Sequence, residues 1–279
     1  MFSLNCRGKL LLIDKPLAMG IINITPDSFY EGSRQQTNTS ILERAKKMIT
    51  EGADIIDIGG QSTRPGSNRI SVKEELQRVL AAMDIILKKF PEVILSVDTY
   101  QSAVAIESVN AGASIINDIS AGNMDGAMIS TIAKLQVPYI CMHMKGTPEN
   151  MQDNPSYENI TREVLAFFIQ KTDDCKRAGI NDVIIAPGFG FGKTVTHNFR
   201  LLKELSAFKM LEMPIMAGLS RKSSIYKTLG TTASEALNGT SVLNTLALQN
   251  GADILRVHDV KEAKEVIALC ERYTLLNPP

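Results

Sequence analysis

One repeated arrangement limits what this chain can fold into. "GADIIDIG" (52–59), "GASIINDI" (112–119) and "GADILRVH" (251–258) each set Gly-Ala before a short apolar run, and "AGINDVII" (178–185) is a looser copy. Each run follows a segment with helical character. Glycine just past a helix permits the left-handed cap conformation. The β-branched run behind it reads as a buried strand. The repeated unit is therefore helix, glycine turn, strand.

Read this way, the chain gives eight strands: "AMGIIN" (18–23), "DIIDIG" (54–59), "VILSVD" (93–98), "SIINDI" (114–119), "PYICMH" (138–143), "DVIIAP" (182–187), "PIMAGL" (214–219) and "DILRVH" (253–258). Helices are expected between them. Residues 71–90 open with a capping box, Ser71 to Glu74, and continue with helical periodicity; Ser40 to Glu43 repeats the box before the first helix. Residues 157–178 and 259–272 also read as helices. Apolar strands alternating with helices imply a parallel sheet covered on both faces. Eight such units predict an α/β fold, a single (β/α)₈ TIM barrel spanning 1–279. Periodicity alone leaves a doubly wound open sheet as the alternative. Residues 3–13 fall outside the repeat and are expected to form an N-terminal β-hairpin capping the barrel floor.

Composition narrows the function. The chain of 279 residues carries 30 Lys plus Arg against 30 Asp plus Glu, so no bulk charge favours nucleic acid or an anionic membrane surface. No apolar run approaches the roughly 18 residues of a membrane span. None of the four cysteines, Cys6, Cys141, Cys175 and Cys270, forms a C-x-x-C pair. Free thiols and the lack of a signal-like N-terminus point to a soluble cytoplasmic protein.

Barrel chemistry gathers at the C-terminal ends of the strands. The first strand ends in Asn23, the second leads to Ser62, Thr63 and Arg64, the third ends in Asp98, and the fourth in Asn117 and Asp118. The fifth ends in His143, the seventh leads to Ser220, Arg221 and Lys222, and the eighth carries Arg256 and His258. Single strand-end polar residues commonly just meet solvent, and a lone His143 is more often structural. Seven strands converging on one face mark that face as an active site. Lys222, Arg256 and His258 suit a phosphate or pyrophosphate through charge-assisted hydrogen bonds. Asp98 and Asn117, on adjacent strands, suit a heteroaromatic ring. Asn23 offers a neutral oxygen to Mg²⁺, which keeps several waters and travels with substrate phosphates. The long insertions 24–39 and 60–70 lie on the same face, where long ordered loops are usually functional.

The sixth strand is the exception, ending in Ala186 within "IIAPGFGFGKT" (184–194). The Gly-Lys-Thr ending resembles a nucleotide-binding loop. A Walker A motif would place glycine at 187, where Pro187 lacks the N–H that cradles phosphate. The segment instead reads as a turn presenting Phe189 and Phe191. Either one ring packs beneath the loop while the other flanks a flat ligand, or both fill the core.

Several stretches together resemble the dihydropteroate synthases: "GIINITPDSF" (20–29), "IGGQSTRPGS" (58–67), "SVDT" (96–99), "INDI" (116–119), "MHMKGTP" (142–148), "PGFGFGKT" (187–194), "GLSRKSSI" (218–225) and "RVHDV" (256–260). They follow the family's order over essentially the whole chain, and "NITPDSF" with "STRPG" and "GLSRKS" is highly specific. The resemblance implies a (β/α)₈ barrel that joins 4-aminobenzoate to 7,8-dihydropterin-6-ylmethyl diphosphate. The products are dihydropteroate and pyrophosphate, and sulfonamides act as aminobenzoate analogues. By resemblance, Asn23 contacts Mg²⁺ and the diphosphate, and Arg256 and His258 complete the anion site. Asp98 and Asn117 bond the pterin, and Lys222 reaches both the pterin and the aminobenzoate. Thr63, Pro65, Phe191 and Ser223 border the aminobenzoate, with Arg64 beside them. The "TPDSF" loop closes over the site. The family's usual homodimer is carried over in the same way.

Two positions depart from the family pattern. Gln61 stands where "GGESTRPG" has Glu, inside an otherwise intact motif. Ala186 stands where the family has an aspartate that bonds the pterin ring. Its loss implies about 1.5–3 kcal/mol, or roughly 10- to 150-fold in affinity. Two other functions share these features: a pterin-binding protein without synthase activity, and a pterin-dependent methyltransferase domain. The "TPDSF", "STRPG" and "GLSRKS" motifs argue against the methyltransferase.

Overall fold

A computed structural model describes residues 1–24, 34–63 and 66–275. The chain opens with an antiparallel hairpin, β1 (Phe2–Cys6) and β2 (Lys9–Ile13), in register from Phe2↔Ile13 to Cys6↔Lys9. Its two-residue turn, Arg7–Gly8, has positive φ at both positions (56° and 85°), the backbone that matches the twist of a tight hairpin.

The barrel follows. Its strands are β3 (Leu17–Asn23), β4 (Ile55–Gly59), β5 (Leu95–Asp98), β6 (Ile115–Asp118), β7 (Tyr139–Met142), β8 (Val183–Ala186), β9 (Met216–Ala217) and β10 (Ile254–Val257). They pair in parallel in the order β8-β7-β6-β5-β4-β3-β10-β9. A parallel bridge between Ile185 and Ile215 joins β8 to β9 and closes the ring, so the open-sheet alternative falls away. The helices are α1 (Arg34–Thr50), α2 (Val72–Lys89), α3 (Ser102–Asn110), α4 (Met128–Leu135), α5 (Ile160–Ala178), α6 (Val195–Lys203), α7 (Ser223–Leu229), α8 (Leu237–Gln249) and α9 (Val260–Leu275).

All eight expected strands are present; the first gains Leu17 and the other seven are trimmed at their ends. The seventh shrinks most, from six expected residues to Met216–Ala217. Pro214 has no N–H for the ladder, and its carbonyl accepts from Ile185 N–H at 2.9 Å. The Ile215 N–H is taken by the Asp253 carboxylate at 2.8 Å. The helix starts divide similarly. Ser71 caps α2, its hydroxyl accepting from Glu74 N–H at 3.2 Å, while the Glu74 carboxylate turns to Arg78. Ser40 caps nothing, because α1 already begins at Arg34 and runs through it. Gly179 closes α5 at φ 89°, the turn that the repeat implied.

Period-two alternation along the strands separates two cores. Ile56, Ile58, Val97 and Ile116 face the helices, with Val79, Ala82, Met83 and Val104 among their neighbours. Met19, Ile55, Ile115, Ile140, Ile184, Met216 and Ile254 fill the barrel. The hairpin residues Leu4, Cys6 and Ile13 belong to this inner cluster and plug its floor. The barrel is thus filled from below, and its cavity is confined to the C-terminal face. The capping assignment is checkable: Ser71→Ala should cost about 1 kcal/mol in urea unfolding, with no change in m-value, whereas no loss would mean that the cap is not holding α2.

Candidate active site

The inward-facing positions become polar one layer above the apolar filling. Asp57 follows Ile55 on β4, Asp98 follows Ser96 on β5, Asn117 follows Ile115 on β6, and Arg256 follows Ile254 on β10. Register sets Asp98 directly beside Asn117, and Asn23 beside Gly59. Arg256 is the hub. Its Nε donates to Asp57 Oδ2 at 2.7 Å, and its Nη2 lies 2.6 Å from the same oxygen and 2.7 Å from Asp98 Oδ2. Asn117 adds a bond to Asp57 Oδ2 at 3.1 Å.

This array leaves three buried oxygens, Asp57 Oδ1, Asp98 Oδ1 and Asn117 Oδ1, with no partner among the described residues. Buried acceptors are rarely left unpaired. Those of Asp98 and Asn117, neighbours at the cavity wall, form a place for a ligand edge rich in N–H donors. Burial pushes the Asp98 carboxyl up to about 7; Arg256 opposes the rise and Asp57 adds to it. Burial, then Arg256, pulls Lys222 down to about 8, with Asp98 resisting.

Asp98, Asn117 and Arg256 floor a cavity of about 610 Å³, within the usual range for small-molecule sites, with Asp57 buried behind Arg256. Asn23, Thr63, Asp98, Asn117, Ala186, Phe191, Lys222, Ser223, Arg256 and His258 all line it. Arg64, Pro65 and the "TPDSF" loop lie outside the described residues. Asp57 was not anticipated, because it sits inside an apolar run rather than at its end. The signal was an acidic residue in phase with inward-facing Ile55. Ile21, Ile119, Met142 and Met216 supply apolar lining suited to a flat ring.

The "GLSRKS" turn aims three side chains at once. Arg221 holds a left-handed φ of 54°, strained for a side chain of its size. It is fixed by a bidentate pair to Asp259 (2.8 and 3.0 Å) and by bonds to the carbonyls of Ala233 and Ser234. The turn leaves Ser220 facing His258 and Lys222 facing Phe191, whose ring centre is 4.3 Å from the ammonium. Ser220 Oγ accepts from His258 N–H at 3.2 Å and lies 3.0 Å from His258 Nδ1. Where that hydroxyl gives its own proton to Nδ1, the imidazole proton sits on Nε2. Burial and then Arg256 pull His258 down to about 4, so it meets an anion as a neutral N–H donor rather than as a cation.

The loop after β8 settles the Gly-Phe alternation. Phe189 is buried in the outer core and Phe191 in the inner cluster, and both residues border the cavity. Gly188 has φ 72°, and a Cβ there would land on the His143 carbonyl oxygen. Lys193, the lysine of Gly-Lys-Thr, points inward. It bonds His143 Nδ1 at 2.9 Å and the Phe191 carbonyl at 3.0 Å, far from any phosphate role. His143 is therefore structural, edge-on to Phe167 at 4.9 Å, and burial followed by Lys193 drops it to about 2. Asp118 is structural too, accepting from Tyr139 and Ser120.

Gln61 uses its amide fully. Its Nε2 donates to the Ser62 and Asn68 carbonyls at 2.9 Å each, and its Oε1 accepts from Ile70 N–H at 2.8 Å, which pins both ends of the loop carrying Thr63.

Residues 19–258 match the model of the pterin binding enzyme family. The chain is 42% identical over 267 residues to the Escherichia coli K12 dihydropteroate synthase, covering 95% of this chain and 94% of that one. The chain belongs to the dihydropteroate synthase family. Two solved dihydropteroate synthases share the fold. A Yersinia pestis structure with a sulfonamide drug superposes at TM-score 0.91 with 40% identity, covering 99% of this chain and 100% of that one. A Xanthomonas albilineans structure with 4-aminobenzoic acid gives 0.90 with 37% identity, covering 99% of each.

The histidine assignment is testable by NMR. His258 should carry its proton on Nε2 at pH 7 and titrate near 4, held down by burial and Arg256. A midpoint near the ordinary 6.5 would contradict it.

Proposed function

We infer that the chain condenses 7,8-dihydropterin-6-ylmethyl diphosphate with 4-aminobenzoate, giving dihydropteroate and pyrophosphate. The observation that carries this reading is the pair of unpartnered buried oxygens on Asp98 and Asn117, both of which line the cavity. A pterin presents a ring edge rich in N–H donors, and these oxygens are acceptors. Donors on the ring favour ionised Asp98, against the burial that lifts its pKa.

Breaking the C–O bond sends an electron pair to the diphosphate and leaves cationic character on the pterin methylene. Carboxylate oxygens of Asp98 and Asp57 beneath the ring stabilise that charge, an electrostatic contribution that is often the largest in catalysis. The Nε2–H of His258 and the Arg256 guanidinium face the leaving group. Arg256 already shares its charge with two carboxylates, so it serves pterin floor and anion site together. The aniline nitrogen attacks as a neutral nucleophile and requires no strong base. Thr63 and Phe191 border the aminobenzoate ring, while Ser223 and the Lys222 ammonium sit toward its carboxylate.

Among the described residues no cluster of three His, Cys, Asp or Glu could hold a metal ion by itself. Asn23, exposed at the end of β3, provides one neutral oxygen near Asp98 across Gly59. That donor set fits Mg²⁺ arriving with the diphosphate, and the ion would supply charge neutralisation of the leaving group.

The proposed assembly is a homodimer. Val242 and Leu246 on α8, and Leu269 and Tyr273 on α9, are exposed apolar pairs at i, i+4 spacing on packed neighbouring helices. Leu243 and Ile267 face the core, and Leu248 packs against it. No helix among the described residues is long and apolar enough to cross a membrane. All four cysteines are free, which suits a reducing cytoplasm.

Pyrophosphate release that depends on 4-aminobenzoate tests the activity; no turnover at saturating diphosphate substrate would sink it. Ala186 lines the cavity as the last residue of β8 and offers the ring no polar group. Ala186→Asp should tighten pterin binding about 10-fold or more in calorimetry, and unchanged affinity would show that the residue does not face the ring. Val242→Glu with Leu246→Glu should halve the mass seen by light scattering; an unchanged mass would remove this face from the interface.

A further inference from the structure

Residues 144–157, which begin within "MHMKGTP", link β7 to α5 across the top of the barrel. It is a compact turn. Asn150 Oδ1 accepts from Thr147 N–H at 2.8 Å and from Thr147 Oγ1 at 3.2 Å. Asn150 and Met151 N–H both return to the Thr147 carbonyl. Gly146 has φ 81°, and a Cβ there would press on Asn150 Oδ1 and the Met151 backbone.

From this turn the segment reaches both walls of the cavity. Toward the loop of Thr63, the Pro148 carbonyl accepts from Gly66 N–H at 3.0 Å. Toward the loop of Phe191, Gln152 Nε2 donates to the Gly190 carbonyl at 2.6 Å and Tyr157 OH to the Gly192 carbonyl at 2.9 Å. The carbonyls on both sides of Phe191 in the chain are therefore held from this one segment. Between the two attachments Met151 is buried and lines the cavity, in the same apolar cluster as Phe191. Tyr157 is itself braced, edge-on to His197 at 5.0 Å and beneath the Lys145 ammonium at 4.3 Å.

We propose that segment 144–157 is a bracket that sets the gap between the Thr63 and Phe191 walls. Gln152 and Tyr157 act as positioning residues for Phe191, and Met151 sets which ring-substituted arylamines fit. This rests on the reading that those walls hold 4-aminobenzoate. The pterin floor lies on β4, β5, β6 and β10, outside the bracket, so the two substrates should respond differently when it is loosened.

The test is steady-state kinetics on the full chain, with the wild type, Gln152→Ala, Tyr157→Phe, the double variant and Met151→Ala. Each single positioning variant should raise KM for 4-aminobenzoate about 3- to 10-fold, the double more. KM for the pterin diphosphate and the melting temperature should stay constant. Met151→Ala should shift the preference between 3-methyl-4-aminobenzoate and 4-aminobenzoate about 10-fold toward the larger ring. Unchanged aminobenzoate KM in the double variant overturns the bracket. So does a joint rise in both KM values with a falling melting temperature, which would make the segment merely structural. A wild type without arylamine-dependent pyrophosphate release would instead overturn the functional reading beneath it.

Discussion

The Arg256 guanidinium held between Asp57 and Asp98 is the interaction on which the mouth of this barrel depends. Three strands far apart in sequence contribute one charged group each, and all three sit in the layer directly above the apolar filling. Burying such an array is expensive, and removing one partner typically costs about 3–5 kcal/mol where a wholly apolar replacement costs little. Stability alone is thus a poor reason for it. Its use is to hold carboxylate oxygens, desolvated and pre-aimed, under the position where a heteroaromatic ring would develop positive charge.

The surrounding features follow from that constraint. The hairpin seals the floor, so the polar layer opens in one direction only. Arg221 absorbs a left-handed backbone turn and thereby separates Ser220 from Lys222. Ser220 fixes a neutral histidine tautomer next to Arg256. Lys222, lowered by burial and by that same arginine, rests on the Phe191 ring instead of joining the carboxylates. Phe191 keeps its place because the loop around it is tied from both sides: Asn198 and Lys193 from within, Gln152 and Tyr157 from the neighbouring segment.

Much of this was legible in the sequence. The Gly-Ala repeat marked four barrel strands, apolar runs between helical segments gave the other four, and the strand-end rule picked out Asp98, Asn117, Arg256 and His258. Asp57 escaped because it sits inside its apolar run rather than at the end of it; inward phase with Ile55 was the better guide. Ser40 misled because a capping box is a local pattern, and α1 starts before it. The direction of Lys193 was hidden as well, since Gly-Lys-Thr spells a phosphate loop locally while the buried His143 that receives it comes 50 positions earlier in the chain. The protonation of His258 needed the three-dimensional neighbourhood of Arg256. Ala186 is the reverse case: its sequence position raised the question, and the structure shows it at the cavity wall with no polar group to offer.

The most direct test of the account is a crystal structure with the dihydropterin diphosphate bound. The account places the donor edge of the ring on Asp98 and Asn117 at about 2.7–3.2 Å, with space or water beside Ala186. A ring bound elsewhere in the cavity, with those two oxygens still unpartnered, would contradict it.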